Sequence, residues 1–185
     1  MVIIKPCTEI VGSCTADDYL LSFFTREKNQ KKWHGEIPPL EKRKETLLAN
    51  WPSKFPFKGE REATWHICQI CTVEELEQLW MHKHGDWLEK HDLWHGSHWL
   101  GDLAKTAIET GFFQNSNKRD TGQYKNYCRW KDKKLHGQLD GYEKPLLVEE
   151  DNHIDILDGF GRLLPYLVLV YEGKEFFPFS AYLAR

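Results

Sequence analysis

The sequence predicts an α+β fold with an N-terminal helical extension, on three observations. β-rich runs at 64–70, 146–148, 154–157 and 175–183 are separated by helix-forming segments. Helix starts are marked by Thr15, by Thr72-Val73-Glu74-Glu75 and by a glycine turn at Gly159-Phe160-Gly161. With 185 residues, 41% hydrophobic and 14% aromatic, the chain can bury one well-cored domain with an appendage, and disorder is not indicated.

Val2–Ile4 reads as a short strand, Ala16–Phe24 as a helix opened by Thr15 and Asp17, and Leu40–Ala49 as a second helix. Arg26, Lys28, Lys31 and Lys32 form a basic stretch between them, and Trp51-Pro52 with Phe55-Pro56 disfavours regular structure. Residues 1–60 are expected to be an extension packed on a core of residues 61–185, with a boundary near Gly59. Plain packing is the favoured role of the extension, and a docking face for a partner is the alternative.

Thr64–Ile70 is expected as a strand, followed by a helix from Thr72 to about Met81. His66, Cys68 and Cys71 precede His82, His84, His91, His95 and His98, which raises zinc, but no histidine pair stands at the finger distance. Five cysteines, odd in number and irregularly spaced, suit reduced thiols. Trp80, Trp87, Trp94 and Trp99 read as aromatic core between helices. His95 and His98 directly precede the next helix, where one could approach a ligand or act as a general base.

Residues 115–136 are the most basic part of a chain whose net charge is -3. Lys118, Arg119, Lys125, Arg129, Lys131, Lys133 and Lys134 stand against Asp120 and Asp132, a local +5. Tyr124, Tyr127 and Trp130 lie among them. Cations for phosphates interleaved with aromatics for unpaired bases suit sequence-independent DNA binding, with a solvated basic loop as the alternative.

The stretch Pro145–Pro165 reads as strand, tight turn at Asp151-Asn152, strand, glycine turn and helix, with Pro165 expected in the helix's first turn. A two-residue turn sets Val148 opposite Asp155 and Glu150 opposite His153. Period two then places Glu150, His153 and Asp155 on one face, where Glu150 and Asp155 could hold Mg²⁺. The same alternation sends Glu149 and Asp158 towards the face of Ile154 and Ile156; Asp158 could cap the turn or hold Arg162. Gly159, Phe160, Gly161 and Arg162 form a phosphate seat, because helix-start amides converge there and a guanidinium can fork onto phosphate oxygens. A glycine pair serving only a left-handed turn is the plain alternative.

Asp158-Gly159-x-x-Arg162 after a hairpin strand resembles the nucleotide-binding signature of the ParB/sulfiredoxin superfamily. Leu103-Ala104-Lys105-Thr106-Ala107-Ile108-Glu109-Thr110-Gly111-Phe112-Phe113-Gln114 is similar to the L-A-x-S-I-x-x-x-G-L-L-Q helix and turn of ParB-like domains, and Trp65–Leu79 resembles their opening strand and helix. The resemblance covers about residues 62–185 and implies a mixed sheet with flanking helices. Phe160 stands where sulfiredoxins carry their cysteine, so reductase chemistry is not implied, and the G-E-R-R of partitioning proteins is absent as well. Residues 115–136 are an insertion relative to that pattern, and no helix-turn-helix reader is expected.

In size and in its N-terminal extension the chain resembles the plasmid fertility-inhibition branch of the superfamily. That branch implies an ATPase and Mg²⁺-dependent DNase that blocks conjugative or T-DNA transfer through a type IV secretion system. The implied catalytic set is Glu149, Glu150, Asp158 and Arg162. The nucleotide would sit on Gly159, Phe160, Gly161, Arg162 and His98, with ATP and Mg²⁺ as cofactors and zinc disfavoured. DNA, nucleotide and secretion-system components are the implied partners. A non-enzymatic anti-transfer protein and a small-molecule kinase are the alternatives. No apolar run reaches a membrane span and no signal-peptide pattern is present, so the expected location is the bacterial cytoplasm, with peripheral attachment to a secretion complex allowed.

Overall fold

Strong capping anchors the first helix. Thr15 accepts from the amide of Asp18 while the Asp18 carboxylate accepts from the Thr15 amide, and α1 runs Ala16–Asn29. This is five residues beyond the expected end, so Arg26 and Lys28 are helical. The computed structural model describes residues 9–56, 63–81, 85–93, 96–150 and 152–185, with only the backbone described for 85–87 and for Ser116. The expected strand at Val2–Ile4 and the boundary at Gly59 lie outside the described residues. So do His82, His84, Trp94, His95 and Asp151, and the side chain of Trp87.

Among the described residues six strands form one mixed sheet: β1 (Glu9–Ser13), β2 (Trp65–Ile70), β3 (Leu79–Trp80), β4 (Leu146–Glu149), β5 (Ile154–Asp158) and β6 (Phe179–Ala184). Their order is β1-β2-β6-β4-β5-β3, with β6/β4 and β5/β3 parallel and the other pairs antiparallel. The Thr72 capping box forms as expected, but its helix α3 (Val73–Glu77) stops short of Met81. Leu79 and Trp80 leave it to pair with Ile154 and Asp155 at the sheet edge. The closing strand starts at Phe179 rather than Glu175, after Pro178.

Helices cover both faces of the sheet. Leu147, Ile154, Ile156, Ala181 and Leu183 pack with α3, α5 (Leu100–Glu109), α6 (Gly122–Trp130) and α7 (Phe160–Tyr171), while α4 spans Gly85–Lys90. On the other face Leu146, Val148, Leu157, Tyr182 and Ala184 meet Tyr19, Leu20, Phe23 and Phe24 of α1 and Leu47 of α2 (Leu40–Asn50). Phe24 and Leu47 are fully buried there, each worth roughly 1.5–3 kcal/mol. The N-terminal segment thus forms a full layer of the fold and also contributes β1 to the sheet.

The hairpin register places Val148 opposite Asp155, and the Glu150 amide donates to the His153 carbonyl. One break decides the site. Leu147 pairs with Ile156 and Leu146 with Asp158, so Leu157 is an extra residue on β5. Such a bulge reverses the alternation. It turns Asp158 away from the Ile154 and Ile156 face, to which simple period two assigns it, and onto the α1 side.

Candidate anion-binding cleft

Gly159 ends β5 and opens α7 with φ +111°, a left-handed conformation suited to glycine. Pro165 lies in the second turn of α7 rather than the first. Its missing N–H leaves the carbonyl of Gly161, four residues back, without its helical donor. Asn126 Nδ2 of α6 supplies that bond at 2.8 Å. The carbonyl is therefore satisfied despite the proline, and the same bond ties α6 to the start of α7.

Asp158 lies under this turn, and three cations converge on it. Arg26 Nη1 is 2.6 Å from Oδ2, Arg162 Nη2 is 3.3 Å from Oδ2, and Lys54 Nζ is 3.2 Å from Oδ1. Burial pushes the carboxyl up, but Arg26, Lys54 and Arg162 together outweigh it and hold Asp158 well below the usual carboxylate range. For Arg26, burial lowers the basicity, and the neighbouring Asp158 and Glu27 carboxylates more than reverse that. Arg162 also reaches Glu143 Oε2 at 3.1 Å, so its guanidinium spans two carboxylates.

Above this cluster lies a cleft of about 900 Å³. Its walls come from α1 (Phe23, Arg26, Glu27), the turn Trp51–Lys54, α6 (Gln123, Lys125, Asn126, Arg129) and the Gly159–Arg162 turn. Six lining cations, Arg26, Lys32, Lys54, Lys125, Arg129 and Arg162, face four carboxylates, Glu27, Asp120, Glu143 and Asp158. The innermost cations are matched by the innermost acids. Lys32 Nζ is 3.9 Å from Glu27 Oε2, so the positive excess rests mainly on the exposed Lys125 and Arg129 of α6.

The residues expected to bind DNA divide. Lys125 and Arg129 are exposed, lie i, i+4 on α6 and line the cleft. Lys118 is instead largely buried, with Nζ 3.6 Å from Asp92 Oδ2. Arg119, Lys131, Lys133 and Lys134 are exposed outside the cleft lining. Trp130 does not serve as a stacking platform: it is 2% exposed in the core, because the helical period turns it inward with Tyr127. Tyr127 itself stacks on Phe113 at 4.5 Å and donates to Glu172.

His98 does not line the cleft. Its Nδ1 is 2.7 Å from the Met81 carbonyl and its ring lies 5.1 Å from Trp80, whose other neighbours include Trp99 and His153. Glu149 pairs with Arg185, Asp155 is buried with Oδ1 3.2 Å from His153 Nε2, and Glu150 is exposed. None of Glu149, Glu150 and Asp155 lines the cleft, so Glu150 and Asp155 do not fit an Mg²⁺ serving phosphates there. Among the described residues no three His, Cys, Asp or Glu side chains gather to hold a metal, and no helix is long and apolar enough to cross a membrane.

Sequence reasoning missed Arg26, Lys54, Glu143 and Asn126. A signal existed for Arg26: it falls at i+7 from Tyr19 and i+3 from Phe23, a charge on the apolar stripe of α1. Lys54 and Glu143 are brought in by single-turn 3-10 helices, Pro52–Lys54 and Gly141–Glu143, and nothing local marks them.

Gly161 separates a glycine kept for the fold from one kept for a ligand. It lies in α7, and a Cβ there meets only Gln123, at 3.9 Å. Gly161→Ala is expected to stabilise the protein by roughly 0.5–1 kcal/mol, by the usual helix preference. If anions are held against the turn, the same methyl weakens their binding. Thermal unfolding beside a phosphate-ligand titration checks both; unchanged binding would assign the glycine to the fold alone.

The fold is mixed α+β, and its cleft is lined by six cationic and four acidic side chains. No protein-family model, curated protein or solved structure matches the chain.

Proposed function

We propose that the chain is a nucleotide- and DNA-directed hydrolase of the ParB/sulfiredoxin type, acting as a plasmid fertility-inhibition factor like Osa, which it resembles in size and extension. In this reading it hydrolyses ATP, degrades DNA with Mg²⁺ and blocks conjugative or T-DNA transfer through a type IV secretion system. The observation that carries the reading is that the Gly159–Arg162 turn and the α6 cations Lys125 and Arg129 open into one cleft. Phosphates would meet the α7 amides and the α6 cations, while Asp158 and Glu143 hold Arg162 in position. No catalytic step is assigned to a metal.

One observation favours a second reading. The Arg162 fork is already occupied by Asp158 and Glu143, which suits a non-enzymatic anti-transfer protein that binds phosphates without cleaving them.

The test is degradation of plasmid and single-stranded DNA by purified protein with Mg²⁺ or with a chelator, with and without ATP, beside a Lys125→Ala/Arg129→Ala variant. Both side chains are exposed, so the variant is expected to keep its melting temperature within a degree or two while losing roughly tenfold in DNA affinity and cleavage. Its salt dependence should flatten by about 0.7 per lost phosphate contact. Binding without cleavage by the parent protein would select the second reading. Cleavage indifferent to both substitutions would remove this cleft from the reaction.

A further inference from the structure

The Trp51–Lys54 turn does more than cover the sheet. It carries an aromatic ring and a cation three residues apart, both lining the cleft. Two contacts fix it in place: Tyr19 Oη donates to the Lys54 carbonyl at 2.9 Å, and Lys54 Nζ reaches Asp158 Oδ1 at 3.2 Å. The ring is held as well. Trp51 lies 5.3 Å from Phe23 at 67° and 5.8 Å from Trp33 at 58°, and it remains only half-buried. A large ring held at a cleft wall by an edge-to-face and a tilted neighbour is pre-organised to receive a flat partner. The cleft is about 900 Å³, within the range of small-molecule sites. Its positive excess lies on Lys125 and Arg129 of α6, which line the same cleft as Trp51, so one ligand can be gripped by its phosphates and its base at once.

We propose that Trp51 is a base-stacking residue, so that the N-terminal layer completes a site for a nucleobase joined to phosphates. The proposal rests on the phosphate-binding reading of the cleft and adds to it the part of the ligand that is not phosphate. A free nucleotide and a nucleotide within a single strand share this chemistry.

The experiment measures binding of ATP, tripolyphosphate and a short oligothymidylate to the full chain and to Trp51→Leu and Trp51→Phe. Stacking predicts that Trp51→Leu weakens ATP or the oligonucleotide roughly tenfold while leaving tripolyphosphate within about twofold. Trp51→Phe, which keeps a ring, should recover most of the loss. Which of the two ligands responds identifies the source of the base. Equal losses on all three ligands, with or without loss of folding in Trp51→Leu, together with no ring-dependent difference between ATP and tripolyphosphate in Trp51→Phe, would overturn the stacking role. Tripolyphosphate binding with ATP no tighter, and insensitive to Trp51, would sink this proposal and leave the phosphate reading standing. If the parent protein binds none of the three, both readings fail.

Discussion

An Asp158→Ala protein is expected to lose about 3–5 kcal/mol of stability, the largest effect of any single substitution in the cleft. Asp158 is 6% exposed, and its carboxylate is the shared partner of Arg26, Lys54 and Arg162. Removing it leaves Arg26 with Glu27 and Arg162 with Glu143, the two guanidinium side chains being only 7% and 8% exposed. Lys54, a quarter exposed at its side chain, can swing out. Because Arg26 and Lys54 come from the N-terminal layer and Arg162 from α7, the loss should loosen that layer. Limited proteolysis should then cut near 51–56 before the core is attacked, and urea unfolding gives the magnitude.

Acid should reproduce the effect. Since the folded carboxyl titrates well below its ordinary value, its contribution is complete above about pH 5 and fades as pH falls below about 4 towards the folded value. Asp158→Asn, which cannot ionise, should show a flatter acid limb in a plot of melting temperature against pH. An unchanged acid limb would mean that other carboxylates govern acid unfolding.

Gly159→Ala is expected to cost about 2–4 kcal/mol, or roughly 5–15 °C in melting temperature. Two penalties act together. The residue holds φ +111°, and a Cβ would stand 2.7 Å from Pro145 Cβ and 3.1 Å from both Pro145 Cα and Arg162 Nη2. Pro145 is buried and stiff, so the hairpin or the start of α7 must shift, and Arg162 is displaced with it. Gly161→Ala, two residues on, changes stability in the opposite direction. A Gly159→Ala protein as stable as the parent would show that the turn relaxes freely and does not fix the geometry of the cleft.

Local chemistry was readable in the chain. Thr15 and Thr72 cap their helices through side chains three residues away. The Val148 to Asp155 register follows from turn length, and Gly159 and Gly161 do stand at a strand-to-helix turn. These features depend on neighbours within about four residues, which is the range over which sequence spacing is geometry.

Where reading failed, a distant partner decided. Period two sent Asp158 to the wrong face because the bulge at Leu157 comes from pairing with β4 and cannot be seen in β5 alone. Trp130 was grouped with its charged neighbours, yet the helical turn buries it while Lys125 and Arg129 stay out. Pro165 sits in the second turn of α7 because Asn126, 39 residues earlier, supplies the donor that proline lacks.

The sequence by itself determined the α+β alternation, the capped helices, the hairpin register and the glycine turn. Tertiary structure alone placed Arg26 and Lys54 on Asp158 and set Lys125, Arg129 and Trp51 around the same cleft. The reason is physical: a buried charge is tolerated only where its counter-charge arrives, and here that partner lies more than a hundred residues away in the chain.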